Sequence, residues 1–245
     1  MRTAAKSVWM LAGSAAIASA APASNSVLGG AGVSGGSGLS LPMQIVLSMT
    51  LMVLLPAAIM SITPFLRITI VLHFLRQALG TQNTPSNQVL VGLAMFLSML
   101  IIQPIATEIY HTAWEPMDQG KLTAGQAFDA GEKPLKTFLS RFAREKDVKL
   151  FVEIAKAPQP RNASDLNLTV LIPAYILSEL RTGFQIGAML FLPFLVIDLV
   201  VASVTVSIGM VQLPPVMLSA PFKILLFVLV DGWNLVVGSL VKSFY

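Results

Sequence analysis

Apolar residues gather in this chain into long blocks, separated by proline, glycine and one extended polar stretch. The block that organises the rest is residues 193–233, PFLVIDLVVASVTVSIGMVQLPPVMLSAPFKILLFVLVDGW. Between Asp198 and Lys223 it carries no charge, and a helix of about 24 residues would be roughly 36 Å long, enough to cross a bilayer core. A single helix is excluded by Gly209, Pro214, Pro215 and Pro221, because proline removes a backbone donor and clashes with the preceding turn. The pattern predicts two apolar helices meeting at an irregular linker. In hydrocarbon, backbone freed from helical bonding has to be buried in protein or line a watery cavity. The broken hairpin, with its linker from Gly209 through Met210, Val211, Gln212 and Leu213 to Pro214 and Pro215, is therefore a candidate pore element.

The remaining blocks predict further helices. Residues 41–66 are charge-free and punctuated by Pro56 and Pro64, a membrane-length run with a kink. Residues 67–88 are expected to form a connection in which Arg67 and Arg76 flank an apolar turn before the loop signals of GTQNTPSN. Residues 89–107 form a second run ending near Pro104 and Glu108. In the polar stretch, Leu135, Phe138, Leu139 and Phe142 after Pro134 have helical spacing. Asp147 is expected to cap a second short helix, and LIPAYILSELRTGFQIG is an amphipathic segment leading directly into apolar residues 188–197.

Composition sharpens the class. Of 245 residues, 55% are hydrophobic and 11% charged, with a mean hydropathy of +0.75, which predicts an integral membrane protein. The net charge of +4 conceals a partition. Residues 108–181 hold ten acidic and ten basic side chains, so a balanced polar domain is inserted into a membrane chain. The absence of cysteine excludes a disulfide framework and thiolate metal sites. The scattered basic residues outside the polar stretch make no nucleic-acid patch.

At the start, Arg2 and Lys6 precede an apolar stretch and the small residues Ala18, Ser19 and Ala20, the pattern of a signal peptide cleaved between Ala20 and Ala21, with Ala23 as second choice. An uncleaved anchor is the alternative. The expected organisation is a signal peptide at 1–20, a Gly/Ser-rich tether at 21–40, a first apolar hairpin at 41–107, a polar helical extracytoplasmic domain at 108–187 and a second apolar hairpin with its Pro-Pro break at 188–245. This is an all-α, multi-pass architecture of four apolar helical segments. With the mature start outside, Arg67 and Arg76 fall in the cytoplasm, as the positive-inside tendency prefers.

Three segments carry a family resemblance: TPFLRITIVLHFLRQALGTQNTPSNQVLVGLAMFLS, LIPAYILSELRTGFQIGAMLFLPFLVIDLVVASV and LPPVMLSAPFKILLFVLVDGWNLVVGSLVKSF. They resemble the FliP family, the bacterial flagellar export-gate proteins, and their injectisome counterparts. The resemblance implies a channel subunit for unfolded flagellar proteins at the basal body in the bacterial inner membrane. It further implies a pentameric ring of copies with FliQ and FliR as partners, contacts to FlhB and FlhA, and helices partly raised above the bilayer plane. The signal peptide and the GSLVKSF ending resemble the flagellar branch more than the injectisome branch. The family typically places consecutive methionines after the loop glycine; here only Met210 matches, with Val211 and Gln212 in the following positions.

Several residues invite sharper chemistry. Asp198, in an apolar run, is either a proton-coupling carboxylate, as in a secondary transporter, or a buried structural contact. Lys223 and Asp231 are expected to snorkel or cap near the ends of the last helix. Arg67 and Arg76 either set topology or hold lipid phosphate or a partner protein. An aspartyl dyad of Asp198 and Asp231 lacks its glycine-flanked setting, and Glu108 with His111 has di-iron spacing but no second copy. Ser219 and Lys223 are spaced as nucleophile and base, with Pro221 between them. No enzyme, cofactor or metal site is expected.

Overall fold

The computed structural model describes residues 40–81, 83–158, 166–209 and 214–245, and its regular elements in these residues are all helical. The chain divides into two compact units. In Met1–Val46, the described residues 40–46 are the opening of helix α1, Leu41–Ile62. That helix has no buried residue, and a helix apolar on every side suits lipid better than water. At about 33 Å it also has the length of a bilayer core.

Leu47–Tyr245 is the second unit, and its centre is α2, Phe65–Ala78. Here the structure corrects the expected connection at Arg67–Arg76, which is a helix and not a turn. Ile68, Val71, Leu72, Leu75 and Ala78 recur at helical spacing and are wholly buried, so burial of one stripe stabilises a helix between Pro64 and Gly80. Gly80, at φ +72°, takes the left-handed conformation that ends it.

The next helix, α3 (Asn87–Ile109), passes through Pro104 instead of ending there and continues through a π-helical turn, Tyr110–Trp114, into the short α4, Glu115–Asp118. The expected boundary between residues 107 and 108 therefore falls inside continuous helix. Its polar partner, α5 (Ala124–Phe142), starts at a capping box between Thr123 and Gln126 and carries Pro134 internally. Packing of α5 along α3, with Gly131 set against Ala113 and Ile109, offsets the roughly 3 kcal/mol that a proline inside a helix costs.

Helix α6 spans Glu145–Ile154. Asp147 does not cap it, as the sequence suggested. The N-cap residue is Arg144, whose N–H donates to Ser178 Oγ, and that hydroxyl donates to the buried Asp147 carboxylate at 2.6 Å. A side chain from the next helix thus satisfies the open end of α6. That next helix, α7 (Leu168–Ser207), is capped by the side chain of Asn167 and is 40 residues long; the amphipathic segment and the apolar run are one element, as expected. Gly209, at φ +84°, terminates it.

After the linker come α8, Pro215–Leu229, and α9, Gly232–Lys242, bent by 66° at the break between them. Among the described residues, three helical stretches, Leu41–Ile62, Asn87–Asp118 and Leu168–Ser207, are long and apolar enough to span a membrane, and the bent pair α8–α9 makes up to four.

The α2–α7 contact has a definite register. Ile70 of α2 sits at Gly183 and Phe74 at Gly187, so the partners advance together and the helices run parallel. Two small residues four apart on one helix permit this close approach, as in the small-xxx-small packing of membrane helices. A Cβ built on Gly187 would lie 2.6 Å from the Phe74 ring, against 3.2 Å from Ile70 at Gly183. Gly187→Ala should therefore lower stability by about 1–3 kcal/mol and Gly183→Ala by less, read as the thermal midpoint of the purified protein. Pairing Gly187→Ala with Phe74→Leu should recover part of the loss, and a Gly187→Ala midpoint equal to that of the parent would refute the contact.

Candidate functional site

Each end of α2 is fastened by a charge. At its start, Arg67 is buried rather than solvated in a topology-setting cluster. Its Nε donates to Glu179 Oε2 of α7 at 2.8 Å, and its Nη2 donates to Glu179 Oε1. The side chains are 4% and 0% exposed. The same guanidinium donates to Ser243 Oγ at 3.0 Å and lies 3.9 Å from the Phe244 ring centroid. A planar fork satisfies the carboxylate with two bonds and stacks on an aromatic face, which an ammonium cannot do. Arg141 of α5 donates to the main-chain oxygen of Tyr245 at 2.8 Å, so residues 243–245 close over the Arg67 node from the polar side.

At the other end of α2, Lys223 of α8 donates to the carbonyl of Ala78 at 3.0 Å and to Asp198 Oδ2 of α7 at 2.6 Å. A cation is well placed there, because the last carbonyls of a helix form the negative end of its dipole. Ser219 Oγ donates to Asp198 Oδ1. The expectation that Lys223 snorkels is therefore corrected: its side chain is 2% exposed and ion-paired. Asp198 is the interhelical contact that its position in an apolar run suggested. Ser219 and Lys223 converge on the same carboxylate, which occupies both and leaves neither arranged as nucleophile and base.

The linker lies directly between the two helices joined by this node. Gly209 ends α7, and Pro214, in extended conformation, precedes Pro215 at the first position of α8. Proline is preorganised for that position, where its missing donor is not needed. Met210, Val211, Gln212 and Leu213 lie outside the described residues, as do Ala20 and Ala21 of the expected cleavage site. Asp231 stands at the start of α9 with φ +51°. Its carboxylate accepts from Asn234 Nδ2 at 3.1 Å and makes no side-chain cap. The last helix of the sequence reading is thus two helices, with Lys223 in one and Asp231 between them. Arg76 is half-buried in the last turn of α2. His111 Nδ1 faces Glu115 Oε2 at 2.8 Å, and among the described residues no group of three metal-ligating side chains converges.

Glu179 escaped the sequence reading, as did Ser243 and Phe244. The signal was a lone carboxylate in the segment LIPAYILSEL, whose nearest cation in sequence, Arg181, is exposed. A carboxylate on the buried face needs a cation from elsewhere, and Arg67 was the candidate with the same requirement.

These features define a multi-pass helical membrane protein in which one ion pair, Lys223 with Asp198, joins the two limbs of a proline-broken apolar loop and a second, buried pair, Arg67 with Glu179, joins α2 to α7. The FliP family profile matches residues 48–240, and the chain belongs to that family. It is 49% identical over 201 residues to the flagellar biosynthetic protein FliP of Bacillus subtilis strain 168, covering 82% of this chain and 91% of that one. Against the protein of the same name from Pectobacterium carotovorum it is 45% identical over 206 residues, 84% of this chain and 80% of the relative. Against that of Treponema pallidum strain Nichols it is 46% identical over 203 residues, 82% and 75% of the two chains.

Removing one partner of a buried pair strands the other, at a cost of about 3–5 kcal/mol. Arg67→Ala and Glu179→Ala should each lose most of the folded protein, measured as yield of detergent-extracted, protease-resistant chain. The double variant should lose less than the two separate losses combined. Arg67→Lys should fall between Arg67→Ala and the parent, because the second bond and the stacking are gone. Equal yields for Arg67→Ala and the parent would remove this node from the fold's supports.

Proposed function

We propose that this chain is a channel-forming subunit of the flagellar type III protein export gate, required for flagellum assembly and for passage of unfolded flagellar proteins. The observation that carries this reading is the loop between α7 and α8. It is apolar, broken by Gly209, Pro214 and Pro215, and its limbs are joined to each other and to the end of α2 by Lys223. A passage for unfolded chains has to seal when idle and yield without strong contacts to any one sequence. Met210, with Val211 and Leu213 beside it and Gln212 turned toward the lumen, supplies such a ring when copies assemble: methionine packs against varied neighbours, and a hydrophobic constriction closes by dewetting.

In this reading the ring is a pentamer completed by FliQ and FliR and contacted by FlhB and FlhA, seated in the bacterial inner membrane at the basal body with residues 108–187 on the periplasmic side. The charged helix α5 lies along the second half of α3, its Phe138 and Leu135 packing with Ile102 and Ile105. That argues for placing this part of α3 outside hydrocarbon, and the portion before Ile101, about 22 Å of helix, is then too short to cross a core of about 30 Å. The subunit accordingly stands partly above the bilayer plane. A proton-carrying role for Asp198 is disfavoured by its engagement with Lys223 and Ser219.

Asp198→Asn keeps the shape and most of the hydrogen bonding and should retain assembly and motility. Asp198→Ala strands Lys223 and should lose both together. An Asp198→Asn complex that assembles normally yet exports nothing would restore the proton-coupling alternative. At the loop, Met210→Ala or deletion of Val211 and Gln212 should leave the complex assembled but leaky, measured as small-ion conductance in cells with no substrate in transit. Unchanged conductance in a demonstrably assembled mutant complex would take Met210 out of the constriction.

A further inference from the structure

A cavity of about 480 Å³ opens on one flank of the α3–α5 hairpin. Ile105 of α3 and Pro134 and Phe138 of α5 give it an apolar wall, Pro134 and Phe138 being buried. Around them stand the exposed polar side chains Glu108 and Thr112 from α3 and Lys133, Thr137 and Arg141 from α5. Among the described residues neither Glu108 nor Lys133 has an ion pair. Arg141 gives one N–H to the main-chain oxygen of Tyr245 and keeps the other donors of its fork. The hydroxyls of Thr112 and Thr137 donate to the carbonyls of Glu108 at 2.8 Å and Lys133 at 3.0 Å, so each has only lone pairs left to offer.

These groups are ordered along the hairpin. Gly131 of α5 meets Ile109 and Ala113 of α3, and α5 then runs back toward the apolar part of α3, so Arg141 stands about 15 Å nearer to that part than Gly131 does. Residues 87–107 of α3 carry no charge, and Glu108 is the first. The cavity therefore sits where α3 leaves hydrocarbon in the placement given above, with Arg141 on the membrane side and Glu108 farther out. Tyr245, next to Arg141, is 67% exposed, an amphipathic ring of the kind that gathers at the membrane–water boundary.

We propose that this cavity binds the headgroup of a phosphoethanolamine phospholipid, with its phosphate on Arg141 and its ammonium among Glu108, Thr112 and Thr137. A guanidinium fork suits phosphate oxygens, and Lys133 reaches the same phosphate along its flexible stem. A primary ammonium has three donors, and the Glu108 carboxylate with the two threonine oxygens supplies their acceptors. The headgroup carries its phosphate next to the acyl chains and its amine farther out, which is the order of Arg141 and Glu108 along the hairpin. Glu108 selects against an anionic headgroup that has no amine, and a trimethylated amine has no N–H to give these acceptors. The inference rests on the placement of α3 in the proposed function and is independent of how the loop seals.

The test uses the full-length protein extracted in detergent, freed of lipid by exchange, titrated with phosphatidylethanolamine, phosphatidylglycerol or phosphatidylcholine and read by native mass spectrometry. Phosphatidylethanolamine should bind about tenfold more tightly than either of the others, the worth of a charge-assisted hydrogen bond. Glu108→Gln should erase that preference by weakening phosphatidylethanolamine alone, and Glu108→Lys should turn it toward phosphatidylglycerol. Lys133→Gln should weaken all three lipids alike. Glu108 and Lys133 are both exposed, so these variants should keep the parent's thermal midpoint. Glycerophosphoethanolamine, which has the headgroup without acyl chains, should compete only weakly; competition equal to that of the lipid would identify a soluble ligand and overturn the lipid assignment. Equal retention of the three lipids by the parent, or a preference that survives Glu108→Gln, would overturn the site. Either result would leave the export-gate reading standing, since assembly, motility and ion conductance test that reading separately.

Discussion

A charge buried in an apolar fold has to meet its opposite, and that requirement fixes the position of α2. The helix is wrapped in Ile, Val and Leu contacts that are tolerant of sliding. Its ends are not tolerant, because Arg67 is paired with the Glu179 carboxylate and the Ala78 carbonyl accepts from the Lys223 ammonium. Taking ions out of water costs several kcal/mol each, and only good geometry with further hydrogen bonds repays it. The two nodes therefore act chiefly as register marks, and the parallel seating of Ile70 on Gly183 and Phe74 on Gly187 lies between them. Lys223 also joins α7 and α8, the helices on either side of the Gly209–Pro214 break, to the far end of α2.

Much of this arrangement was legible in the sequence, and the exceptions have physical reasons. The apolar blocks, the break at Gly209 and Pro214-Pro215, and the amphipathic polar helices follow from local pattern and proline chemistry. The segment from Arg67 to Arg76 was not legible as a core helix, because two arginines nine residues apart look like solvated flanks until their partners are known. Glu179 is 112 residues from Arg67, and no local pattern links them. The same holds for Lys223, whose apparent freedom to snorkel disappears once Asp198 and the Ala78 carbonyl are found beside it. Pro104 does not stop α3, and the cost of a proline inside a helix is offset where α5 packs along it. At the candidate site, the sequence left Asp198 open between a proton-coupling carboxylate and a structural contact, and the contacts of Ser243 and Phe244 with Arg67 are not revealed by composition.

The polar stretch is better regarded as a brace than as an independent module. Arg141 and Phe142 of α5 reach Tyr245 and Phe244, Arg144 donates to Gln185 at 2.7 Å, and Ser178 joins the start of α6 to α7. These contacts hold the first half of α7, on which Glu179 lies, against the polar helices. The second half carries Asp198 and ends at the loop. One helix, with Pro193 inside it, thus connects the polar helices to the start of the Gly209–Pro214 break.

The distance along the chain between Arg67 and Glu179 has a consequence for biogenesis. Synthesis proceeds at about 5–20 residues per second, so for roughly 6–22 seconds the ribosome has delivered the guanidinium and not yet its carboxylate. During that interval α2 cannot be released into lipid without stranding an ion, nor be finished as a core helix, because neither α7 nor residues 243–245 exist. Pairing of Arg67 with its carboxylate therefore waits on the arrival of α7.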